Sequence, residues 1–569
     1  MKILGINAVY HESAASLVIN GEQVCFIEEE RVNRFKHAKN AEIDNPHVLP
    51  AGAMRKCLEI AGLEFSDVDY FAYSFAQSGR LQNIGADSFT RPGSWGTEEG
   101  ENLFHSRLQM VPESLREITG FDVEDKLIWV DHHLAHAASA FLCSPFKEAL
   151  VMVVDGIGEF DSISAYIGRH NQLGKIFSLA YPHSLGFLWE KFCCFLGFGE
   201  HDACKLMGLS SYGDPSKMRE AFQKVAWLDS NSLFKVDNQI TRFRSDDMTG
   251  LEEVFGPVRQ KDAPIEMRHK DIAAALQEFT ENALLELAQR LKRQFRINKL
   301  CLAGGTALNC VANRVIQKQG VFPDVFIQPA ANDAGTALGA ALYVWCGLQE
   351  QPRNFNLTHS YWGPAYKPEE ITRALKASGL KFEKIADPAA TAAAFIEQGK
   401  IVGWFQGRME MGPRALGNRS LLADPRRADM RDILNRKIKH REDFRPFAPS
   451  VLAEKVSEWF DTNGKSMSEE FMLFAYPTRK KYHEKIPAVV HIDNTSRIQS
   501  VNRESNPKYH RLISEFEKLT GVPMVLNTSF NDGEPIVMSP EDAINTFKKT
   551  GIDVLFLEDF MALKEVAEE

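Results

Sequence analysis

Cysteine is scarce in this chain and never set in a CxxC pair. The nine thiols lie at positions 25, 57, 143, 193, 194, 204, 301, 310 and 346, with no CxxC spacing. That excludes a zinc ribbon and a disulfide framework and fits reduced thiols. No run of about 18 uninterrupted apolar residues occurs, so no membrane span is expected. At the N-terminus Asn7, His11 and Glu12 interrupt what would be a signal-peptide core, so a cytosolic location is the expectation. An excess of positive charge is lacking too. The formal charge of -10 argues against a nucleic-acid partner. What remains is ordinary for a soluble protein: 569 residues, 44% hydrophobic and 25% charged, enough for two or three cores.

Against that background one stretch stands out, Asp131-His132-His133-Leu134-Ala135-His136 followed by Val151-Met152-Val153-Val154-Asp155-Gly156. Small and apolar neighbours predict a helix, and four-residue spacing puts His132 and His136 on one face of it. The run Ala149 to Val154 predicts a buried strand that delivers Asp155 at its end. Two imidazoles with one or two carboxylates suit iron, zinc or manganese and leave coordination positions open. The plainer alternative is that His132 and His136 cap or line a core.

In chain order, Lys2 to Asn7 reads as a strand, Ala8 to Ser13 as a turn and Ala14 to Ile19 as a returning strand. Val151 to Val154, the Asp155-Gly156-Ile157-Gly158 turn and Ser162 to Ile167 repeat the pattern. Such a pair predicts an internally duplicated nucleotide-binding fold. Pro50 to Gly62 reads as a helix and Phe65 to Ser74 as carrying a strand, while Gln77 to Glu101 reads as an aperiodic surface excursion. Lys205, flanked by Asp202, is either phosphate-facing or solvated. Asp271 to Arg296 carries the clearest amphipathic stripe. The strand Leu300 to Ala303 runs into Gly304-Gly305-Thr306-Ala307-Leu308-Asn309, where paired glycines let a nucleotide approach the backbone. Asp333, in Asn332-Asp333-Ala334-Gly335, is a fourth metal ligand or an N-cap.

Composition shifts between Gly347 and Tyr366, predicting two domains, 1–350 and 351–569. The segment Arg408 to Arg445 carries eleven Lys or Arg against six Asp or Glu, in an acidic chain. Arginines set in Gly412-Pro413-Arg414-Ala415-Leu416-Gly417 and Phe444-Arg445-Pro446-Phe447 have rigid, apolar neighbours. Such settings aim guanidinium groups into a cleft at a small anion.

These residues, in this order, resemble the antibiotic and nodulation-factor O-carbamoyltransferases, the family of the cephem and aminoglycoside (tobramycin) enzymes. The resemblance spans nearly the whole chain: Gly5-Ile6-Asn7 with His11, His132 with His136, Asp155-Gly156, Lys205-Leu206-Met207-Gly208-Leu209, Gly304-Gly305-Thr306-Ala307, Asn332-Asp333-Ala334-Gly335, Gly412 to Gly417, and Leu526-Asn527-Thr528-Ser529-Phe530-Asn531. One departure is Ser210-Ser211, where the family often has Ala-Pro. The resemblance implies an α/β protein with a duplicated ASKHA (actin-like ATPase) N-terminal domain and a YrdC-like α/β C-terminal domain. It implies carbamoyl transfer from carbamoyl phosphate, through an ATP-derived carbamoyl-adenylate, to a hydroxyl or amine of a small-molecule natural product.

On that basis His132, His136, Asp155 and Asp333 are expected to bind one divalent ion, Fe2+ first with Zn2+ or Mn2+ as alternatives. Lys205, Gly304, Gly305, Thr306, Asn309 and Gly335 are expected to bind ATP with its Mg2+. Arg414, Lys439, Arg445, Arg497, Asn527 and Ser529 are expected to bind carbamoyl phosphate, since converging cations hold a compact dianion best. Free carbamate is too labile to diffuse through water and is expected to pass internally. His11, at the first hairpin tip, is the expected base for the acceptor hydroxyl. A homodimer is compatible with all of this. A kinase of the same fold would use the glycine turns without the arginine cluster and would release ADP, not AMP. A tRNA-modifying enzyme is disfavoured by the acidic balance. Hydrogenase-maturation carbamoyltransferases carry zinc-binding cysteine pairs that this chain lacks. A non-catalytic metal or nucleotide sensor would keep His132 and Asp155 and tolerate loss of Arg414.

Overall fold

The computed structural model describes residues 1–86, 89–462 and 469–564. It divides into two compact units. The first comprises residues 1–29 and 37–357, the second residues 30–36 and 358–569.

The first unit is built twice from one plan. Strands β1 (Lys2–Asn7), β2 (Ala14–Ile19), β3 (Glu22–Glu28), β4 (Tyr70–Tyr73) and β5 (Leu127–Trp129) form a sheet in the order β3-β2-β1-β4-β5. β1 pairs antiparallel with β2 and parallel with β4. The second sheet uses β6 (Glu148–Val154), β7 (Asp161–Arg169), β8 (Gln172–Ala180), β11 (Lys299–Ala303) and β12 (Asp324–Ile327), ordered β12-β11-β6-β7-β8. Here β6 pairs antiparallel with β7 and parallel with β11. β1 and β6 occupy the same place in their sheets, and both are buried apolar runs, as strands covered on two faces must be. The duplication expected from the two strand-turn-strand units is therefore complete, and each copy carries a third antiparallel strand that the sequence reading did not include. A hairpin of β9 (Ala226–Asp229) and β10 (Leu233–Val236) stands apart from both sheets.

Helix Thr336–Tyr343 ties the two halves together. A side chain at Gly5 would meet the Ala337 carbonyl oxygen at 1.8 Å, and one at Gly339 would meet the Ala135 oxygen at 1.8 Å. Glycine at both positions lets this helix press against β1 on one side and against helix His132–Phe141 on the other. The latter helix starts where Asp131 accepts from the Leu134 amide, an N-cap that satisfies one of its free donors.

Two expectations need refining. The stretch Gln77 to Glu101 lies largely at the surface, with Leu81 38% and Ile84 41% exposed, but it is pinned at buried points. Arg80 and Glu101 are 1% and 0% exposed, and a helix, Glu98–Leu108, begins within it. The Arg80 guanidinium donates from Nε to Glu101 at 3.2 Å and from Nη1 to the Tyr10 hydroxyl at 2.6 Å. A charged pair this far apart in sequence leaves no local periodicity. Asp87 and Ser88 lie outside the described residues. The range Phe65 to Ser74 carries the expected strand, β4, preceded by a 3-10 turn at Phe65–Asp67. The long helix also begins earlier, at Met267, running to Phe295.

The second unit is a mixed α/β layer. Strands β13 (Lys381–Lys384), β14 (Val402–Phe405), β15 (Arg419–Ala423), β16 (Ala448–Leu452), β19 (Gln499–Val501), β20 (Met524–Ser529), β21 (Val554–Leu557) and β22 (Phe560–Leu563) form one sheet. Their order is β13-β22-β21-β14-β15-β20-β16-β19, and β17 (Ala475–Pro477) with β18 (Thr495–Arg497) makes a small second sheet. Segment 30–36 belongs to this unit. Arg31, 3% exposed, donates to the Gly412 carbonyl at 3.0 Å, and Arg34 donates to those of Pro535 and Ile536 at 2.7 and 2.8 Å. Among the described residues no helix is long and apolar enough to cross a membrane.

Candidate active site

In the first unit His132, His136, Asp155 and Asp333 meet, all buried, with donor atoms within 4.8 Å of one another. His132 Nε2 lies 3.5 Å from Asp155 Oδ2 and 3.7 Å from Asp333 Oδ1, and His136 Nε2 lies 3.5 and 3.4 Å from the same atoms. These separations are long for hydrogen bonds, and both Nε2 atoms are buried without a hydrogen-bond partner. Donors about 2.1 Å from a shared ion at tetrahedral angles stand about 3.4 Å apart. The four side chains therefore fit a divalent metal.

The elements around the cluster fix its donors. The Ser74 carbonyl lies 3.1 Å from His132 Nδ1, which places the proton there and leaves Nε2 free to ligate. The Ser74 hydroxyl is bonded in turn to Asn7 Oδ1 at 3.1 Å and to Thr336 Oγ1 at 2.8 Å. Asp155 Oδ1 accepts from the Gly305 amide at 3.0 Å, so that amide is turned to the carboxylate. Gly304 has φ 88°, and a Cβ there would stand 2.3 Å from the Val154 oxygen, so only glycine serves.

Charge is poised in the cluster. Burial disfavours the charged forms, but the carboxylates outweigh it and hold His132 well above the usual histidine value. Burial likewise opposes ionisation of Asp155, yet the two imidazoles keep it well below the carboxylate range. Asp333 is pushed up by burial and by Asp155 and pulled further down by the imidazoles, to about 2.

The remaining residues named for this unit are placed as follows. Asn309 caps helix Cys310–Lys318 through the Ala312 amide and donates to Gln277 Oε1 at 2.9 Å. Thr306 lies in the 3-10 turn Gly305–Leu308. Gly335 sits where a Cβ would be 2.0 Å from the Ala330 oxygen. Lys205 is half-buried, and its ammonium pairs with Asp202 at 2.9 Å. His11 sits at the first hairpin tip, which touches the second where the Tyr10 hydroxyl donates to the Gly158 carbonyl at 2.8 Å. The sequence gave no signal for Ser74, which acts through its carbonyl. Nor did it signal Glu159, which accepts from the His132 and Ala76 amides at 3.0 and 2.7 Å.

In the second unit Lys439, 7% exposed, extends its ammonium to Ser529 Oγ at 3.3 Å and to the carbonyl and Oδ1 of Asn531 at 2.9 and 2.8 Å. Burial and the neighbouring Arg441 and Arg445 pull its pKa well below the usual lysine value. β20 carries Asn527 and Ser529 two residues apart, hence on one face. Asn527 Nδ2 donates to the Ala415 carbonyl at 3.1 Å and to Ser450 and Gln499 at 2.9 and 3.0 Å, which sets the residue after Arg414 beside it. The Arg414 Nε is buried without a partner among the described residues. Glu410 holds this loop, accepting from the amides of Leu416, Asn418 and Arg419 at 2.5, 3.2 and 3.2 Å. Arg445 lies 4.0 Å from Glu442, and Arg497 ends β18 opposite Ala475. Lys439, Ser529 and Asn531 are in direct contact, with Arg445 in electrostatic range, and Gln499, two residues after Arg497, accepts from Asn527.

A duplicated α/β unit with a buried metal-type cluster is followed in sequence by an α/β unit that buries Lys439 and the Arg414 Nε. The chain belongs to the carbamoyltransferase family: the carbamoyltransferase N-terminus matches residues 2–82 and 97–342, and the carbamoyltransferase C-terminus matches residues 393–564. Nodulation protein NolNO of Sinorhizobium fredii is 36% identical, over 99% of this chain and 80% of its own length. Nodulation protein NolO of Bradyrhizobium diazoefficiens is 40% identical, over 77% of this chain and 79% of its own. An uncharacterized protein of Synechocystis is 38% identical, over 99% of this chain and 96% of its own. The protein is an enzyme that transfers carbamoyl groups.

Proposed function

We propose that it moves the carbamoyl group of carbamoyl phosphate, by way of a carbamoyl-adenylate made from ATP, to a hydroxyl or amine of a small molecule. The observation that carries the reading is the Lys439 ammonium, buried beside Ser529 and Asn531 with Arg445 near and Arg414 Nε unpartnered. Such a group matches a compact phosphate dianion.

In the second unit these cations hold carbamoyl phosphate and take up charge as water attacks it, so that phosphate leaves, carbamate forms and one proton is released. In the first unit a carbamate oxygen attacks the α-phosphorus of ATP and pyrophosphate departs. His132, His136, Asp155 and Asp333 would hold a divalent ion, Fe2+ first among Fe2+, Zn2+ and Mn2+, which supplies positive charge to phosphate oxygens. The Gly304-Gly305 turn and Thr306 stand next to Asp155 and would flank the nucleotide, whose phosphates carry their own Mg2+. The acceptor hydroxyl then attacks the carbamoyl carbon, its proton passes to His11, and AMP leaves with the electron pair of the broken carbonyl–oxygen bond.

The test supplies ATP and carbamoyl phosphate and measures pyrophosphate, AMP and ADP, then screens hydroxylated and aminated acceptors by mass spectrometry. Pyrophosphate release that depends on carbamoyl phosphate is expected. ADP in its place would make the protein a kinase of this fold, and no nucleotide turnover with intact metal binding would make it a sensor.

A further inference from the structure

His11 does not stand alone. Its ring lies 4.7 Å from that of His201 at an interplanar angle of 64°, and His201 lies 4.9 Å from His37. His37 Nδ1 is 2.8 Å from the carboxylate of Glu12, the residue next to His11. Three imidazoles and one carboxylate, drawn from positions 11, 12, 37 and 201, thus surround one hairpin tip within the first unit.

The backbone there is held in unusual conformations. Tyr10, Glu12, His37 and Ala38 have φ of 60°, 57°, 64° and 68°, a left-handed region that side chains with a Cβ rarely adopt. The two turns lock each other, since the Glu12 amide donates to the His37 carbonyl at 2.9 Å. Asn7 Nδ2 adds bonds to the carbonyls of His11 and Glu12 at 3.3 and 3.1 Å. Strain that the surroundings overdetermine in this way marks a site where geometry is being enforced. Its beneficiary is His11, whose Nδ1 is buried with no hydrogen-bond partner among the described residues.

We propose that the Glu12–His37 pair and His201 are positioning residues for His11, fixing the direction of its imidazole and offsetting the charge it gains on taking the acceptor's proton. The proposal deepens the role given to His11 above and rests on that reading. Ring packing against His201 sets the direction of the base, and the Glu12 carboxylate, in electrostatic range, stabilises the imidazolium as it forms. Burial opposes charge on Glu12, but its bond to His37 and the charges of His37 and His11 keep its pKa down despite Asp333 nearby, so it stays ionised. Burial and the two neighbouring imidazoles lower His201 to about 3 against the pull of Glu12 and Asp202, so it serves as a neutral wall.

The experiment measures carbamoyl transfer and pyrophosphate release separately, across pH, in the metal-loaded enzyme and in His201→Ala, His201→Phe and Glu12→Gln. His201→Ala should slow transfer about 10- to 100-fold through lost orientation, with pyrophosphate release unchanged. His201→Phe should recover most of that loss, since the wall and not its nitrogen is needed. Glu12→Gln should move the acid limb of the transfer profile to lower pH, because removing the carboxylate weakens the base. Transfer at the wild-type rate in both His201 variants, or a fall in metal content with His201→Phe, overturns the proposal. Should His11→Asn also leave transfer intact, the fault lies with the role of His11 itself.

Discussion

The two units meet the problem of buried charge in opposite ways. In the first, imidazole nitrogens and carboxylates converge in a donor set that fits a cation, and a bound ion would take the place of a proton on Nε2. In the second, an ammonium and guanidinium groups converge, and Lys439 borrows carbonyl and amide oxygens from Ser529 and Asn531, so the group lacks an anion. Each arrangement is costly when empty, because unpaired buried charge is disfavoured, and each is relieved by a ligand of opposite sign. In the proposed reaction phosphates are handled twice, by direct cations in one unit and by acidic ligands that would hold a metal in the other.

The comparison breaks most visibly if the metal is removed. His136→Ala should lose about one equivalent of bound metal, read by elemental analysis, and drop pyrophosphate release to background while phosphate release from carbamoyl phosphate persists. Unchanged metal content would remove His136 from the cluster. Next in size, His11→Asn should lose transfer by a factor of about 10² to 10⁴ and keep adenylate formation. Equal loss of both steps would give His11 to the nucleotide instead.

In the second unit Arg445→Ala should cost about 2 to 4 kcal/mol in phosphate release and leave metal content alone. Full hydrolysis in this variant would dissolve the contrast between the units. Wild-type affinity for carbamoyl phosphate should also weaken as pH rises through the lowered pKa of Lys439, because only the ammonium attracts a dianion. The smallest effect belongs to Asp131→Ala, which removes a helix cap. It should cost about 1 kcal/mol in denaturant unfolding without changing metal stoichiometry. A loss of metal would show that the cap also sets the angle of the histidine helix.

The first unit's framework was legible because its signals are local: His132 and His136 sit four residues apart, and β6 is an unbroken apolar run ending at Asp155. Asp333 was legible as a strand-end carboxylate, with cap and ligand both open until the fold brought it to the histidines. What stayed hidden depends on contacts between distant segments. Arg80 with Glu101 looked like loop composition, and His37 and His201 looked like scattered histidines. Lys205 was seen with Asp202 beside it, and the structure pairs the two at 2.9 Å. In the second unit the arginine-rich segment was plain, whereas Glu410, which shapes the loop carrying Arg414, is one of six acids in that segment and no spacing sets it apart.

Segment 30–36 bears on how the protein is made. Arg31 leaves the ribosome early, yet the Gly412 carbonyl that receives it follows 381 residues later. At about 5 to 20 residues per second that is a wait of roughly 20 to 75 seconds. The first unit, otherwise ready to fold as it emerges, must hold out seven residues for a companion not yet synthesised. Expressing residues 358–569 alone would leave that companion without its earliest piece, and adding residues 30–36 as a peptide would be the way to restore it.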